Sequence, residues 1–193
     1  MKYTETHYPE RTKLNDFFPQ EMYDELRTVA EQNTPEQTSA GKRKNLLSVH
    51  HALNPDINQY VYDYFDQHVN GTYIHDHKDN MDCRGRLQGL PPQNEYKIHQ
   101  DFYQKVITLL IYISPQDADG TVFYKDAQGI TQWGFGVPYA EEGTQIVEDT
   151  WTPNSGYWFD HKQAPWHSYT NRSQTWMRWV YMWNLIDTRS LNQ

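Results

Sequence analysis

Apolar residues near the N-terminus recur at the three-to-four-residue spacing of amphipathic helices. The first such segment starts at Pro19, a residue that is tolerated in the first turn, and it predicts a helix over about residues 19–32. The second starts at Asn54 and Pro55, a capping residue followed by proline. Its stripe consists of Ile57, Val61, Tyr64, Phe65 and His68. Residues 33–44, between the two segments, are polar and rich in helix breakers, and they predict a loop.

The second half of the chain contains runs that are typical of β-strands. Residues 106–113 are too uniformly apolar to alternate, which is typical of a strand covered on both faces. Shorter strands are predicted at 120–124 and 156–159, where glycine precedes apolar and aromatic residues. Further strands joined by long loops are expected within 125–154. Residues 83–94, by contrast, contain Gly and Pro and predict a turn-rich approach to the next strand.

The last predicted strand, residues 175–186, is largely apolar on both faces. One face carries Trp176, Arg178, Val180 and Met182. The other carries Met177, Trp179, Tyr181, Trp183 and Leu185. Such a strand must be covered twice. We therefore expect one face to line the interior of a β-barrel and the other to lie under the two N-terminal helices.

Length and composition favour one domain that is mainly β with N-terminal helices. A chain of 193 residues is long enough to bury a sizeable core. We expect about 1–70 to supply helical support and about 72–186 to form the β core. Aromatic residues make up 15% of the chain, including 15 Tyr and 7 Trp, so much of the interior is expected to be ring surface.

Charge and cysteine content restrict the partners and the compartment. The formal net charge of −8 makes nucleic acid an unlikely partner, because like charges repel a phosphate backbone. The single cysteine, Cys83, excludes an internal disulfide. The first ten residues contain no apolar h-region and no run is long enough to span a bilayer, so neither a secretory leader nor a membrane span is expected. The expectation is a cytoplasmic protein without a membrane partner, whose oligomeric state the sequence leaves open.

The candidate chemistry lies in three segments. His99 and Asp101 are two residues apart, so in an extended strand their side chains project from the same surface. Two imidazoles and one carboxylate form the facial triad that holds iron(II) with open coordination positions. His167 is the candidate for the second imidazole, and His161, next to a turn, is the alternative. Arg178 is the one cation in the apolar run 175–186, and a buried guanidinium requires an anion because desolvating an unpaired charge is costly.

This succession of segments, from about Leu87 to Leu185, resembles the double-stranded β-helix (jelly-roll, cupin-like) core of the iron(II)- and 2-oxoglutarate-dependent oxygenases. It is most similar to their prolyl-hydroxylase-like branch. The resemblance implies that His99, Asp101 and His167 bind iron(II), and that Arg178 binds the far carboxylate of 2-oxoglutarate.

The resemblance also implies further contacts with the cofactor. On the strand that follows the His-x-Asp segment, the family often has Thr and Tyr four residues apart. Thr108 and Tyr112 stand at that spacing here. The family often places a hydroxyl residue two or four positions after the arginine, where this chain has Val180 and Met182. Further donors to the 2-oxo acid are therefore expected, and the candidates are Tyr96 and Gln88.

The activity that the resemblance implies is a dioxygenase reaction. Oxidative decarboxylation of 2-oxoglutarate, with dioxygen as co-substrate, would be coupled to hydroxylation of a C–H bond. The substrate would be a small molecule or a peptidyl group, with a prolyl side chain among the possibilities.

Two alternatives stay open. The segment with His75, His77 and Asp79 resembles the zinc-binding motif His-x-His-x-Asp-His of metallo-β-lactamase-fold hydrolases, but Asn80 stands at the last position. A zinc metallohydrolase is the first alternative. The second is a cupin-like barrel that binds a metal without turnover. For Arg178, the alternative is a buried ion pair with one of the 25 acidic residues.

Overall fold

A computed structural model describes residues 3–33, 47–49, 53–68, 81–102, 104–115, 117–133, 137–160 and 165–189. The described helices are α1 (Gln20–Gln32) and α2 (Pro55–His68). The strands of the first half are β1 (Thr4–His7), β2 (Thr12–Asn15), β3 (Leu47–Val49), β4 (Met81–Leu90), β5 (Asn94–His99) and β6 (Lys105–Ser114). Those of the second half are β7 (Thr121–Gln128), β8 (Thr131–Trp133), β9 (Val137–Tyr139), β10 (Glu142–Glu148), β11 (Gly156–Asp160), β12 (Trp166–Asn171) and β13 (Arg178–Asp187).

Both helices lie where the periodicity predicts them. At the start of α2, the side-chain oxygen of Asn54 accepts a hydrogen bond of 3.0 Å from the backbone N–H of Asp56, which satisfies one free donor of the first turn. Pro55 follows as the first helical residue, where its missing N–H costs nothing. Neither described helix is long and apolar enough to cross a membrane.

The strands form two antiparallel sheets. The larger sheet has seven strands in the order β1-β2-β11-β6-β13-β4-β3. The smaller sheet has six, in the order β10-β7-β12-β5-β9-β8. Neighbours in both sheets are mostly distant in sequence, which is typical of a jelly roll. The predicted fold class, mainly β with helices on the larger sheet, is confirmed.

The last strand separates two buried clusters, as its two apolar faces predict. Trp179, Tyr181, Trp183 and Leu185 pack with residues of α1 and α2, and Trp183 stacks on Phe65 with ring centroids 5.0 Å apart. Val180 and Met182 lie in the other cluster, inside the barrel. One face of β13 therefore lies under the helices, and the opposite face contributes to the barrel interior.

Three expectations about the elements are wrong. The N-terminal part is not only helical, because β1, β2 and β3 extend the larger sheet. Residues 83–94 were expected to be rich in turns, but residues 83–90 belong to the ten-residue strand β4. Strand β5 ends at His99, so Asp101 lies beyond the strand rather than within it.

Candidate metal centre and cation pocket

The pairing of β5 with β12 brings the two candidate histidines together. His167 lies opposite His99, and Tyr169 lies opposite Tyr96. Two residues of β12 therefore match three residues of β5, which is a register shift of the kind that a β-bulge produces. Tyr96 and His99 are three positions apart, so regular alternation would place their side chains on opposite faces of the strand. Because of the shift, both side chains contact Tyr169.

His99, Asp101 and His167 form a cluster whose candidate ligand atoms all lie within 4.8 Å of one another. The two histidines are 5% and 4% exposed, and the side chain of Asp101 is 12% exposed. The predicted residues thus converge, although Asp101 reaches the cluster from the segment after β5 and not by alternation along a strand.

Each imidazole is oriented by a backbone carbonyl. Nδ1 of His99 lies 2.8 Å from the oxygen of Lys97, and Nδ1 of His167 lies 2.9 Å from the oxygen of Pro165. A carbonyl only accepts hydrogen bonds, so both Nδ1 atoms carry the hydrogen and both Nε2 atoms keep a free lone pair. This is the arrangement by which metal-binding histidines are commonly held.

Burial keeps both imidazoles neutral. It lowers the pKa of His99 to about 3, with the neighbouring His167 acting in the same direction. It also lowers the pKa of His167. Burial opposes ionisation of Asp101, but Lys105, together with the two imidazoles in their protonated form, outweighs it, so the pKa of Asp101 lies below its usual range. Two neutral imidazoles and one carboxylate are the protonation states that a divalent metal requires.

Both carboxylate oxygens of Asp101 have a partner. Oδ1 forms an ion pair of 2.7 Å with Nζ of Lys105, and Oδ2 accepts a hydrogen bond of 2.5 Å from the hydroxyl of Thr108. The same hydroxyl also lies 3.2 Å from Oδ1 of Asn184, which is a second acceptor. Thr108 has one hydroxyl hydrogen, so Asp101 and Asn184 compete for it, and the contact with Asp101 is the shorter.

The candidate cofactor residue Thr108 therefore lies beside the metal ligands. Its predicted contact with the cofactor stays a prediction, whereas its bond to Asp101 is present in the structure. Lys105 was missed by the sequence reasoning. Its spacing of four residues from Asp101 was the available signal, but the end of β5 and the turn at Phe102 that bring the two together were not evident from the residues.

Arg178 is 1% exposed and surrounded by aromatic rings. Its guanidinium carbon lies 4.9 Å from the ring centroids of Trp151 and Tyr169 and 5.7 Å from that of Tyr112. Nε donates to the backbone oxygen of Asp119 at 3.0 Å, and Nη2 donates to the hydroxyl of Thr121 at 3.3 Å. Neither acceptor is charged.

Arg178 forms no ion pair with any described acidic residue. Asp119 instead pairs with Arg172 at 2.6 Å, and Asp149 pairs with Lys13 at 2.9 Å. The alternative interpretation of Arg178, a buried ion pair with an acidic residue of the chain, is therefore not observed within the described residues. A carboxylate from a ligand would balance this charge, because the planar guanidinium offers paired donors.

The hydroxyl of Tyr112 is already engaged. It lies 3.2 Å from the carboxylate of Asp149, to which it donates, and it accepts from the backbone N–H of Thr121 at 3.2 Å. A phenol has one hydrogen to give. The predicted contact between Tyr112 and the cofactor stays a prediction, and the structure adds Asp149 as a competing acceptor.

Tyr169 contacts both the metal centre and the surroundings of Arg178. We call the latter the cation pocket, which consists of Arg178 and the rings of Tyr112, Trp151 and Tyr169. Arg178 lies over the ring of Tyr169, and the ring of Tyr96 stacks on the same ring with centroids 5.1 Å apart. Tyr96 in turn meets His99 edge-on at 4.4 Å, and Nε2 of Gln88 donates to the hydroxyl of Tyr169 at 3.1 Å. The candidate donor Tyr96 thus contacts both His99 and Tyr169, and the candidate donor Gln88 contacts Tyr169.

Several other predicted residues lie outside the described residues. They are His161, the alternative iron ligand, and His75, His77 and Asp79 of the zinc alternative. For these residues the predictions stay untested.

Comparison with solved structures places this geometry in a known fold. A prolyl-4-hydroxylase from Pseudomonas putida matches with a TM-score of 0.58 and 11% identity, over 92% of each chain. The EvdO2 protein from Micromonospora carbonacea var. aurantiaca, solved with 2-oxoglutarate, matches with a TM-score of 0.60 and 10% identity, over 92% of this chain and 86% of that one. The chain has the fold of the iron(II)- and 2-oxoglutarate-dependent oxygenases.

A third protein with this oxygenase fold carries out a different reaction. The epimerase SnoN, solved with Fe³⁺, α-ketoglutarate and nogalamycin RO, matches with a TM-score of 0.59 and 9% identity, over 92% of this chain and 79% of that one. No protein-family model and no curated protein matches the sequence. At such low identities the likeness establishes the fold alone, and the chemistry must be argued from the site.

Proposed function

We propose that the chain is an iron(II)- and 2-oxoglutarate-dependent oxygenase that hydroxylates a small-molecule or peptidyl substrate. The observation that carries the proposal is the convergence of His99, Asp101 and His167, with their candidate ligand atoms within 4.8 Å, in a barrel that also buries Arg178 without a described counter-ion. A metal cluster and a buried guanidinium are the two kinds of group that bind the opposite ends of a metal-chelating diacid.

The donor set fits iron(II). Two Nε2 atoms and one carboxylate on one side of a metal leave positions open on the other side, as in non-haem iron oxygenases. When bound, iron and 2-oxoglutarate supply the capacity to activate dioxygen and to oxidise a C–H bond. The protein supplies neutral imidazoles, an ionised carboxylate, and Lys97 and Pro165 carbonyls that hold the rings in place.

The cation pocket fits the distal carboxylate of 2-oxoglutarate. Arg178 provides the charge, and the hydroxyl of Thr121 lies at 3.3 Å from its Nη2. Aromatic rings on the faces of the guanidinium restrict a ligand to its edge, where paired hydrogen bonds form. Thr121 thereby supplies a hydroxyl beside Arg178, which Val180 and Met182 on β13 cannot do.

Hydroxylation is proposed in preference to halogenation because the candidate site includes the carboxylate of Asp101, at the position that chloride would occupy in a halogenating site. Protein neighbours with this fold include a prolyl-4-hydroxylase and an epimerase, so the fold leaves the outcome open. The outcome depends on which substrate atom is held beside the metal.

The experiment is to incubate purified protein with iron(II), 2-oxoglutarate and dioxygen and to quantify succinate. We expect succinate formation that requires all three, and that rises when a substrate is added from a panel of small molecules and proline-containing peptides. The product is then analysed by mass spectrometry for a gain of one oxygen atom. No succinate from folded, iron-loaded wild-type protein across the panel would contradict the proposal, and His99→Ala is the matched inactive control.

A further inference from the structure

Lys105 and Asp101 form an ion pair that the proposed chemistry does not use. Nζ of Lys105 lies 2.7 Å from Oδ1 of Asp101, and the two side chains are 9% and 12% exposed. The ammonium also lies 5.3 Å from the ring centroid of Phe102. The candidate metal-binding carboxylate of Asp101 is therefore already paired with the ammonium of Lys105.

An irregularity in the sheet points Lys105 toward Asp101. Where β6 pairs with β13, the register shifts between Leu185 and Ile186, so that Ile107 and Lys105 lie opposite consecutive residues of β13. Val106 is the extra residue, and it packs in the helix-side cluster with Ile107. Lys105 and Thr108, three residues apart, consequently both reach the carboxylate of Asp101.

We propose that Lys105 is an internal counter-cation of the metal centre, which neutralises Asp101 in metal-free protein and lowers the affinity for divalent metal. The inference rests on the proposed function, because it takes His99, Asp101 and His167 as the metal ligands. It concerns a side chain that is not itself a ligand, since an ammonium has no lone pair to offer.

The physical basis is that the carboxylate of Asp101 would interact with two cations, the ammonium of Lys105 and the divalent metal. Without metal, loss of Lys105 leaves a buried carboxylate without its ion-pair partner, which is strongly destabilising. With metal, the ammonium and the divalent ion lie against the same carboxylate and repel each other, and this repulsion is weakly screened in a buried site. Removal of the lysine charge must therefore destabilise metal-free protein and strengthen metal binding.

Thr108 provides a contrast on the same carboxylate. It bonds the other oxygen, Oδ2, at 2.5 Å and carries no charge. Its removal loses an orienting hydrogen bond without relieving any repulsion. Loss of such outer-sphere bonds weakens metal binding, typically by about 10- to 100-fold. Lys105 and Thr108 variants should therefore change the metal affinity in opposite directions.

The experiment measures the thermal midpoint Tm with and without Mn(II), and the Mn(II) dissociation constant from the electron paramagnetic resonance signal of free Mn(II). The variants are Lys105→Met, Lys105→Gln and Lys105→Arg, with Thr108→Val as the contrast. Lys105→Gln keeps a hydrogen-bond donor without the charge, so it serves if Lys105→Met does not fold. The matched control is Lys13→Met, which breaks a Lys–Asp pair of 2.9 Å away from the metal ligands.

We expect Lys105→Met and Lys105→Gln to lower the Tm of metal-free protein by about 5 °C or more and to bind Mn(II) at least about tenfold more tightly. The rise in Tm on adding Mn(II) should be larger than in wild type. Lys105→Arg should resemble wild type, and Thr108→Val should bind Mn(II) more weakly. Lys13→Met should lower Tm equally with and without Mn(II).

The inference is overturned if the neutral Lys105 variants bind Mn(II) no more tightly than wild type, or if their Tm falls equally in both states as in the control. That result would leave the proposed function intact, because wild-type protein would still bind the metal. Failure of wild-type protein to bind Mn(II) or iron(II) would instead remove the proposed function itself.

Discussion

The metal centre and the cation pocket both bury charge, but only one of them balances it internally. At the metal centre, Asp101 faces Lys105 at 2.7 Å. In the cation pocket, Arg178 is 1% exposed and contacts aromatic rings, a carbonyl and a hydroxyl, without an ion pair to a described acid. On the proposed function, the charge of Asp101 is balanced within the protein, whereas the charge of Arg178 would be balanced by the carboxylate of a bound ligand.

The largest effect should follow from removing an imidazole. His99→Ala or His167→Ala deletes one of three candidate ligands, so we expect loss of stoichiometric iron(II) binding while the far-ultraviolet circular dichroism spectrum is retained. Iron bound after anaerobic loading and desalting is the measurement. His7→Ala is the control, because His7 lies on β1 with a side chain that is 71% exposed. Unchanged iron stoichiometry in either site variant would refute the ligand assignment.

Removal of the Arg178 guanidinium should lower the affinity for 2-oxoglutarate and leave the affinity for metal unchanged. Arg178→Met keeps a long apolar side chain and deletes the guanidinium, so we expect the affinity for 2-oxoglutarate to fall by about 100-fold. Isothermal titration into protein loaded with Mn(II) measures this. The Mn(II) dissociation constant should stay within about threefold of wild type. Equal losses for metal and diacid would show that the two regions do not act separately.

The buried neutral imidazoles predict how stability depends on pH. The folded-state pKa values of His99 and His167 lie below the ordinary value of about 6.5, so the unfolded state binds more protons as the pH falls below that value. The free energy of unfolding of metal-free protein should therefore decrease below about pH 6.5, by up to about 1.4 kcal/mol per pH unit for each histidine. Urea unfolding at several pH values measures the slope.

His99→Gln is the matched variant for the pH series. It keeps a polar side chain but removes one titrating imidazole, so the slope between about pH 6.5 and pH 5 should decrease. An unchanged slope would mean that His99 is not the group that titrates.

The smallest effect on ligand binding should come from Tyr112. Because its hydroxyl donates to Asp149 at 3.2 Å, Tyr112→Phe should lower the free energy of unfolding by about 1–3 kcal/mol. The affinity for 2-oxoglutarate should change by less than about threefold, in contrast to Arg178→Met. A loss of affinity as large as that of Arg178→Met, without loss of stability, would assign the hydroxyl to the cofactor as the sequence predicts.

Hydrophobic patterning predicted the helices and the last strand. The helices α1 and α2 follow from the three-to-four-residue apolar repeat, and the apolar character of both faces of β13 predicted a strand covered on both sides. The convergence of His99, Asp101 and His167 was also predicted, from the two-residue spacing of His99 and Asp101 and from the resemblance to the oxygenase family.

Hydrophobic and turn patterns did not predict the structure at glycines and at register shifts between strands. Gly89 favoured a turn, yet it and Gly85 both lie within β4. A Cβ on Gly85 would lie 1.9 Å from the side-chain oxygen of Asn58 on α2, so the glycine marks close packing of a helix and not a turn. Likewise, the shift between Tyr96 and His99 and the extra residue Val106 break strict alternation. Alternation alone therefore did not reveal that Lys105 and Thr108 share Asp101.

The most direct test of the central claim is an anaerobic titration of the protein with iron(II) and 2-oxoglutarate, followed by visible absorption. The account predicts a weak charge-transfer band that saturates at one iron and one 2-oxoglutarate per chain. It is absent in His167→Ala, and in Arg178→Met it requires much more 2-oxoglutarate. Well-folded wild-type protein that binds iron(II) but gives no such band at saturating 2-oxoglutarate would contradict the account.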